Sequence, residues 1–254
     1  MNDLHAAEKW TEIEHLPEWD EEFYHVYTAK KHGKWVMLKT LKPEYRDDPE
    51  KRDMISREFD VRYNLAHPNI VMINDFEEVP GLGMCIITDD VYGDSLRKLI
   101  DTGKVTRAHL DKVTHELVDA MGYIHANHLV HQPIRPERIL FTENVGNLKL
   151  IDVGFDQKSE LRPDDVEADM RQYGEVLRET LDALHDNTPA LRSVCRRCTN
   201  PGQRPPRSTD ALHLALAGDR HTRTLIWFVA FLVLIIVVLA WLTSPWAPAP
   251  PHLE

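Results

Sequence analysis

The side chains that decide whether this chain can carry out catalysis lie between Leu129 and Gly154, in the stretch LVHQPIRPERILFTENVGNLKLIDVG. Pro133 has neither a side-chain base nor an N–H group, so it cannot accept a proton from a hydroxyl substrate. Arg138 is permanently charged and would repel a divalent metal ion rather than bind it. We therefore expect Arg138 to form an ion pair with Asp152, so that a fixed cation stands beside that carboxylate.

The elements that must position this stretch begin with strands. Residues 1–10 form a polar lead-in, and residues 11–40 show the strand-like pattern of a hairpin around the turn signal at Gly33. The sequence Asp47-Asp-Pro-Glu opens a helix, because acidic residues in a first turn favour the helix dipole. Two further strands are expected, over residues 71–78 and 84–88.

The chain after Gly93 is predicted to be mostly helical. Thr106 is a suitable N-cap for a helix that runs to about Asn127, with apolar residues at three- and four-residue steps. Strands with one helix, followed mainly by helices, predict an α+β protein with two lobes. Short strands are expected near residues 139–141 and 148–151, and later helices over residues 166–184, 189–198 and 209–217.

The composition limits the classes of partner that this chain can bind and the redox state of the compartment in which it folds. A formal net charge of -11 argues against nucleic acid as a partner, because phosphate binding needs a basic face. Three cysteines fit a reducing compartment without a disulfide framework. Cys195 and Cys198 would suit half of a zinc site or a redox pair, but no second pair accompanies them, and two half-buried thiols on one helix face are the simpler interpretation. No metal site is predicted.

The segment from residue 225 to residue 242, LIWFVAFLVLIIVVLAWL, predicts a single transmembrane helix that embeds the chain in a lipid bilayer. It contains no charged residue, no Gly and no Pro, and it is long enough to reach across the hydrocarbon layer. Basic residues precede it, at 219–224 and further upstream, whereas the Pro-rich tail at 243–254 has no Lys or Arg. The positive-inside rule predicts that the N-terminal domain is cytoplasmic and that the tail lies on the opposite side.

Several motifs occur in order and resemble those of the eukaryotic-like serine/threonine protein kinase family, over roughly residues 11–217. Val36-Met-Leu-Lys39 is similar to the family's V-A-I-K strand, and Glu58 stands where the family has the αC glutamate. Thr88 resembles the gatekeeper residue. Asp169 resembles the αF aspartate that supports the catalytic loop, and Arg204 the arginine near the end of the large lobe. The resemblance implies the two-lobed protein-kinase-like fold, with an N-lobe at 11–90 and a reduced helical C-lobe at 91–218.

The same resemblance assigns the opening stretch to the catalytic loop and the metal-binding segment. His131 is similar to the family's loop histidine, which implies a structural role, and Asp152 to its metal-binding aspartate. Pro133 stands at the position of the catalytic base, and Arg138 at the position of the second metal ligand. The resemblance therefore implies that two of the groups needed for phosphoryl transfer are replaced.

Other parts of the sequence also lack features that the family uses to bind nucleotide or peptide substrate. Between Leu16 and Val26 the chain has no glycine and four acidic residues, which would repel a triphosphate rather than hold its phosphates. Met37 stands where the family has a small residue above the purine. The segment between Asp152 and Asp169 is short and lacks an A-P-E motif.

These departures favour a membrane-anchored pseudokinase that acts as a protein-binding scaffold or regulator, with protein partners at the membrane and no cofactor. Lys39 and Glu58 then lock the helix to the sheet rather than hold phosphates. A structural anchor without a switch is a variant of this interpretation. The alternative is an atypical ATP- and magnesium-dependent serine/threonine kinase that uses Lys39 and Asp152, with Glu137 or a loop acid in place of the missing base.

Overall fold

Alternating apolar residues build an antiparallel sheet in the first third of the chain, as a computed structural model shows. The structure describes residues 9–91, 93–130, 134–143, 146–151, 156–157 and 160–243. The predictions made for His131, Pro133 and Asp152 lie outside the described residues.

The N-lobe is a five-stranded antiparallel sheet in the order β1-β2-β3-β5-β4. The β2–β3 hairpin closes through His32 and Gly33, both with positive φ, which is the geometry of the tight turn that suits twisted strands. One face of the sheet buries an apolar cluster that includes Trp10, Val36 and Leu38. The strands are β1 Trp10–His15, β2 Tyr24–Lys31, β3 Lys34–Leu41, β4 Ile73–Val79 and β5 Gly83–Asp89.

Helix α1, Pro49–Arg62, packs against the other face of this sheet. Its N-cap is Asp48, whose carboxylate accepts hydrogen bonds from the backbone N–H groups of Glu50 and Lys51. Its buried residues are Ile55, Glu58 and Arg62. They follow one another at three- and four-residue steps and so share a face of the helix, which means that a carboxylate and a guanidinium are carried into the interior of the lobe.

The C-lobe is mainly helical, with small sheets near the lobe junction. Strands β6, β8 and β9 form one antiparallel sheet, and β7 pairs with β10. The strands are β6 Gly93–Ser95, β7 Leu129–Val130, β8 Ile139–Thr142, β9 Leu148–Leu150 and β10 Asp156–Gln157. The helices are α2 Leu96–Asp101, α3 Arg107–Thr114, α4 Glu116–Ala126, α5 Pro163–Ala183, α6 Pro189–Thr199 and α7 Thr209–Thr243.

Close packing between α5 and α6 accounts for the two neighbouring cysteines. A Cβ atom at Gly174 would lie 2.4 Å from Cys198 Cβ, so only glycine permits this approach of the two helices. Cys195 and Cys198 are both buried and free. Burial raises the pKa of the Cys198 thiol to about 11, so this thiol remains protonated and unreactive at neutral pH. The two cysteines are therefore packing residues.

The two-lobed α+β fold predicted from the sequence is confirmed, with differences in the helices. The single helix expected from Thr106 to about Asn127 is two helices, α3 and α4, with a break at His115. The Thr114 hydroxyl donates to the Asp111 carbonyl oxygen, and such a local side-chain bond competes with the regular helical pattern.

Helix α7 continues well past the predicted end at residue 217 and includes the apolar segment. The side chains at 227–241 are all exposed. Among the described residues, no helix is long and apolar enough to cross a membrane, so the predicted span at 225–242 is not found there.

Candidate functional site

A buried cluster of charged side chains joins the sheet to α1. Lys39 Nζ on β3 lies 3.1 Å from Glu58 Oε1 on α1, and Arg62 Nη1 lies 2.5 Å from the same oxygen. The Glu58 side chain is fully buried, and those of Lys39 and Arg62 are 9% and 4% exposed. Lys39 Nζ also lies 4.3 Å from the centre of the Tyr24 ring, a favourable position for a cation over an aromatic face.

A second carboxylate, Glu21, joins this cluster from the connection between β1 and β2. Glu21 Oε2 lies 3.2 Å from Lys39 Nζ, and Glu21 Oε1 lies 3.1 Å from Arg138 Nη1. Arg138 belongs to the C-lobe, at the end of the short 3-10 helix Pro136–Arg138. Glu21 therefore bridges the two lobes through one cation of each.

The same connection places Trp19 in the cleft between the lobes. Trp19 ends the short 3-10 helix Pro17–Trp19 and packs against Val71, Leu140 and Ile151. The cavity between Trp19 and the sheet measures about 50 Å³, whereas sites for small ligands measure about 300–1,000 Å³. A larger space of about 570 Å³ lies between residues 18–20 and the C-lobe. Trp19 borders both, so the indole ring narrows the cleft on the side of the sheet.

Residues 16–21, which we call the plug segment, are held in this position by backbone hydrogen bonds. The Leu16 N–H donates to the Val26 carbonyl oxygen at 2.8 Å, and the Glu21 N–H donates to the Tyr24 carbonyl oxygen at 3.0 Å. Asp20 accepts a hydrogen bond from the Val26 N–H at 3.1 Å. Both ends of the plug segment are therefore tied to β2, and its side chains are fixed relative to the sheet.

Two residues singled out from the sequence line the remaining cavity. Met37 on β3 and Thr88 on β5 are opposite each other in the antiparallel register, and both border the cavity with Lys39 and Arg138. The structure thus brings Lys39, Glu58, Arg138, Met37 and Thr88 into one cleft. The Arg138–Asp152 pair stays a prediction, because Asp152 lies outside the described residues.

Asp169 and Arg204 lie away from this cleft. Asp169 on α5 is buried, and its Oδ2 lies 2.7 Å from His125 Nε2 on α4. The neighbouring Gln172 accepts a hydrogen bond from the Ile134 N–H at 2.7 Å and so supports the chain that precedes the 3-10 helix Pro136–Arg138. Arg204 is exposed and borders a groove beside α5.

Glu137, which was predicted as a possible substitute for the missing base, forms an ion pair instead. Its carboxylate accepts a hydrogen bond of 2.8 Å from Arg97 Nε, and Arg97 also pairs with Glu179. Burial raises the pKa of Glu137, but the hydrogen bond from Arg97 and the charges of Arg97 and Arg135 outweigh it, so the pKa is lowered. A carboxylate with a lowered pKa is a poorer proton acceptor.

Sequence reasoning identified the plug segment as acidic but did not assign roles to Trp19 and Glu21. The available signal was the sequence Pro-Glu-Trp-Asp-Glu-Glu in place of glycines, since a large aromatic residue there has no use in a loop that covers phosphates. What the sequence lacked was the turn geometry, which decides that Trp19 and Glu21, rather than Glu18 or Glu22, point into the cleft.

Comparison with known proteins agrees with this geometry. The sequence profile of the protein kinase domain (Pkinase) matches residues 22–178. Serine/threonine-protein kinase 36 of Pongo abelii is 33% identical over 121 residues, covering 47% of this chain and 9% of that protein. Serine/threonine-protein kinase PknD of Mycobacterium tuberculosis is 33% identical over 122 residues, covering 48% of this chain and 18% of that protein.

CBL-interacting serine/threonine-protein kinase 15 of Arabidopsis thaliana is 30% identical over 145 residues, covering 56% of this chain and 34% of that protein. The similarity thus spans about half of this chain and between 9% and 34% of each of these three relatives.

Proposed function

Because this chain belongs to the protein kinase domain family, we propose that it is a pseudokinase: a kinase-like module that binds a protein partner and transfers no phosphoryl group. The observation that carries the proposal is the small cavity beside Lys39. Trp19 packs between the lobes, and the cavity of about 50 Å³ that it leaves against the sheet is too small for a nucleotide. Binding of ATP requires the plug segment to leave.

The charges in the cleft support the same conclusion. Glu21 lies within 3.2 Å of both Lys39 and Arg138, one cation from each lobe of the cleft. A triphosphate would have to displace this carboxylate or lie beside it, and like charges repel strongly in a partly buried site. The positive charge of Lys39 is therefore already neutralised from within the chain.

The sequence supplies independent support. Pro133 offers no base, Arg138 stands where a metal ligand is needed, and the segment between Asp152 and Asp169 has no A-P-E motif. Glu137 does not replace the base, because it is paired with Arg97. Loss of the base alone is compatible with slow turnover, but these changes together remove the nucleotide site, the metal site and the peptide platform.

The proposed mechanism is conformational. The Glu21–Arg138 contact holds the two lobes together, so a partner that binds the closed arrangement better than an open one would shift the balance between them. We further propose that the exposed apolar part of α7, residues 227–241, anchors the module to the cytoplasmic face of a membrane. Anchoring would raise the local concentration of other membrane-bound partners.

Thermal unfolding with ATP, with and without Mg²⁺, tests the proposal on the full chain. The wild type should show a shift below about 1 °C, since a nucleotide that does not bind cannot stabilise the fold. Trp19→Ala should open the cleft and gain ATP-dependent stabilisation of about 1–3 kcal/mol at saturating ligand.

Trp10→Ala is the matched control for this experiment. Trp10 is buried in the apolar cluster on the opposite face of the sheet, so its removal should lower stability without opening the cleft. A shift of several degrees for the wild type would overturn the closed cleft, and an equal gain for both variants would overturn the role of Trp19.

One observation favours the second candidate, an atypical ATP-dependent serine/threonine kinase. The Lys39–Glu58 pair is intact at 3.1 Å, and active kinases need this pair to position a nucleotide. This candidate predicts transfer of labelled phosphate from ATP that Lys39→Ala abolishes. Such a transfer, absent from the variant, would replace the pseudokinase proposal.

A further inference from the structure

Two histidines and an aspartate meet where β1 ends and β2 begins. His15 Nε2 lies 2.9 Å and 3.0 Å from the two carboxylate oxygens of Asp20, and His25 Nδ1 lies 2.8 Å from Asp20 Oδ2. The three ligand-type atoms all lie within 4.8 Å of one another. The side chains are 36%, 20% and 23% exposed, for His15, Asp20 and His25 respectively, so solvent reaches the cluster.

The register of the hairpin brings these residues together. His15 is opposite Tyr27 in the β1–β2 pairing, and His25 precedes Tyr27 by two residues, so both imidazoles are on one face of the sheet. The ring centres are 4.6 Å apart and the ring planes are nearly perpendicular. Asp20 comes from the plug segment, whose turn directs the carboxylate between the two rings.

We propose that His15, Asp20 and His25 form a binding site for a divalent transition-metal ion of the Zn²⁺ class. Two imidazole nitrogens and one carboxylate oxygen, with water in the fourth position, are a ligand set that tetrahedral zinc accepts. Each imidazole nitrogen lies 2.8–3.0 Å from an Asp20 oxygen. Tetrahedral coordination at metal–ligand distances of about 2.0–2.2 Å places ligand atoms about 3.3–3.6 Å apart, so each nitrogen needs to move away from the carboxylate by roughly half an ångström.

The protons balance without a co-reactant. An ionised Asp20 only accepts hydrogen bonds, so the nitrogen of each ring that faces it carries a proton. On metal binding, that nitrogen contributes its lone pair and the proton moves to the other ring nitrogen, His15 Nδ1 and His25 Nε2. The metal ion thereby replaces the hydrogen bonds of the cluster, and no net proton needs to be released when both rings are neutral.

Occupation of this site would act directly on the cleft. Asp20 lies between Trp19, which packs between the lobes, and Glu21, which bridges Lys39 and Arg138. A metal bound to Asp20 and to two residues of the sheet would fix the plug segment in its closed position. This consequence rests on the proposed function, whereas the metal site itself does not. By reciprocity, any ligand that displaces the plug segment would weaken metal binding by the same factor.

Calorimetric titration of the metal-free full chain with Zn²⁺ tests the site. The wild type should bind one ion at this site, and His15→Ala and His25→Gln should each weaken binding by at least about 100-fold, more than the 10–100-fold typical of outer-sphere changes. His32→Asn is the matched control, because His32 is exposed in the β2–β3 turn and asparagine tolerates its positive φ. It should bind as the wild type does.

Either of two results would overturn the site: no binding by the wild type, or equal binding by the wild type and both cluster variants. Thermal unfolding without metal identifies a variant that fails to fold, and the other variant then decides. Absorption of the Co²⁺-substituted protein adds a second measurement, since a ligand-field band lost in His15→Ala but kept in His32→Asn reports coordination by imidazole.

Hydrogen exchange over residues 16–22 tests whether metal binding also fixes the plug segment, separately from whether the metal binds. Zn²⁺ should slow exchange there by at least about tenfold in the wild type, and not in His15→Ala. Tight binding with unchanged exchange would keep the site and overturn its coupling to the plug segment. Failure of the pseudokinase proposal would show separately, as ATP binding by the wild type without metal.

Discussion

Glu21 sets the charge of the cleft. Its carboxylate lies 3.2 Å from Lys39 Nζ and 3.1 Å from Arg138 Nη1, so it occupies the position from which an anionic ligand would contact both lobes. Each partner cation is largely buried, and a buried cation without a counter-charge is costly. The same residue therefore joins the two lobes and, under the proposed function, opposes the entry of a phosphate group.

Replacement of Glu21 should turn the cleft into an anion site. In Glu21→Ala, the repulsion of the carboxylate is removed while Lys39 and Arg138 keep their charges, so pyrophosphate, which has no base to accommodate beside Trp19, should stabilise this variant by about 1–2 kcal/mol at saturation. Unfolding temperature with and without the anion is the measurement. Glu22→Ala is the control, because Glu22 is an exposed neighbour. Equal responses of the two variants would contradict the assigned role.

Glu58 should dominate the stability of the N-lobe. Its fully buried carboxylate compensates both Lys39 and Arg62, and removing one partner of a buried ion pair costs about 3–5 kcal/mol. Urea unfolding of Glu58→Ala should show a loss of that size. Arg57→Ala removes an exposed pair with Asp53 on the same helix and should cost less than about 0.5 kcal/mol. Similar losses in the two variants would mean that the buried pairs contribute no more to the free energy of unfolding than the exposed pair does.

At the scale of elements, a second group of ion pairs ties β2 and the residue before β1 to the edge strand β4. Lys31 Nζ on β2 lies 2.8 Å from Asp75 Oδ2 and 2.6 Å from Glu77 Oε1 on β4, and Lys9 also pairs with Glu77. The hydrogen bond from Lys31 lowers the pKa of Asp75 despite partial burial. Burial raises the pKa of Glu77, but the hydrogen bonds from Lys31 and Lys9 outweigh it and lower that pKa too.

These shifts predict acid sensitivity of the N-lobe. Carboxyl groups whose pKa is lower in the folded than in the unfolded chain contribute stability above the unfolded pKa and lose it as pH falls through the folded pKa. The free energy of unfolding should therefore fall as pH decreases from about 5 to about 3.

The double variant Asp75→Asn/Glu77→Gln should show a smaller fall in urea unfolding measured across this pH range. The difference from the wild type should not exceed about 1 kcal/mol, because these pairs are partly exposed. Glu78→Gln, an exposed change on the same strand, should keep the wild-type pH dependence. A parallel response of the two variants would assign the acid sensitivity to other carboxyl groups.

Elements with strong local signals were predictable, and those that depend on packing were not. The α1 helix begins at its Asp-Pro signal because the Asp48 cap is a local interaction. The break at His115 was missed because the apolar spacing continues across it, whereas the break depends on hydrogen bonds of Thr114. The plug segment was missed as an element because its position depends on contacts with Ile151 and Arg138, which are distant in sequence.

In the candidate site too, residues in motifs of fixed spacing were predictable and residues placed by packing were not. Lys39 and Glu58 were expected to pair, since both stand in motifs of fixed spacing, and they lie 3.1 Å apart. The role of Glu21 required the fold, because the sequence offers four acids in that connection and only the turn decides which one meets Lys39. The His15–Asp20–His25 cluster could likewise not be predicted from the sequence, because the register of two strands brings its members together.

At the scale of the whole molecule, the charged globular part contrasts with the apolar end of α7. The chain has a net charge of -11, yet side chains at 227–241 expose apolar surface on every side of the helix. Exposed apolar surface of this extent marks a region that contacts lipid or a partner. The absence of charge from the segment favours lipid, because protein-facing helices usually keep a polar side.

Flotation of the full chain with lipid vesicles tests the proposed anchor. The wild type should float with the vesicles, whereas Leu234→Arg, near the centre of the apolar segment, should reduce the bound fraction, since a charge on this surface must leave water when the segment contacts lipid. Leu214→Arg is the matched control, because Leu214 is 74% exposed in the same helix but precedes the apolar segment. It should float as the wild type does. If both variants float equally, or the wild type remains unbound, the apolar end of α7 serves another contact.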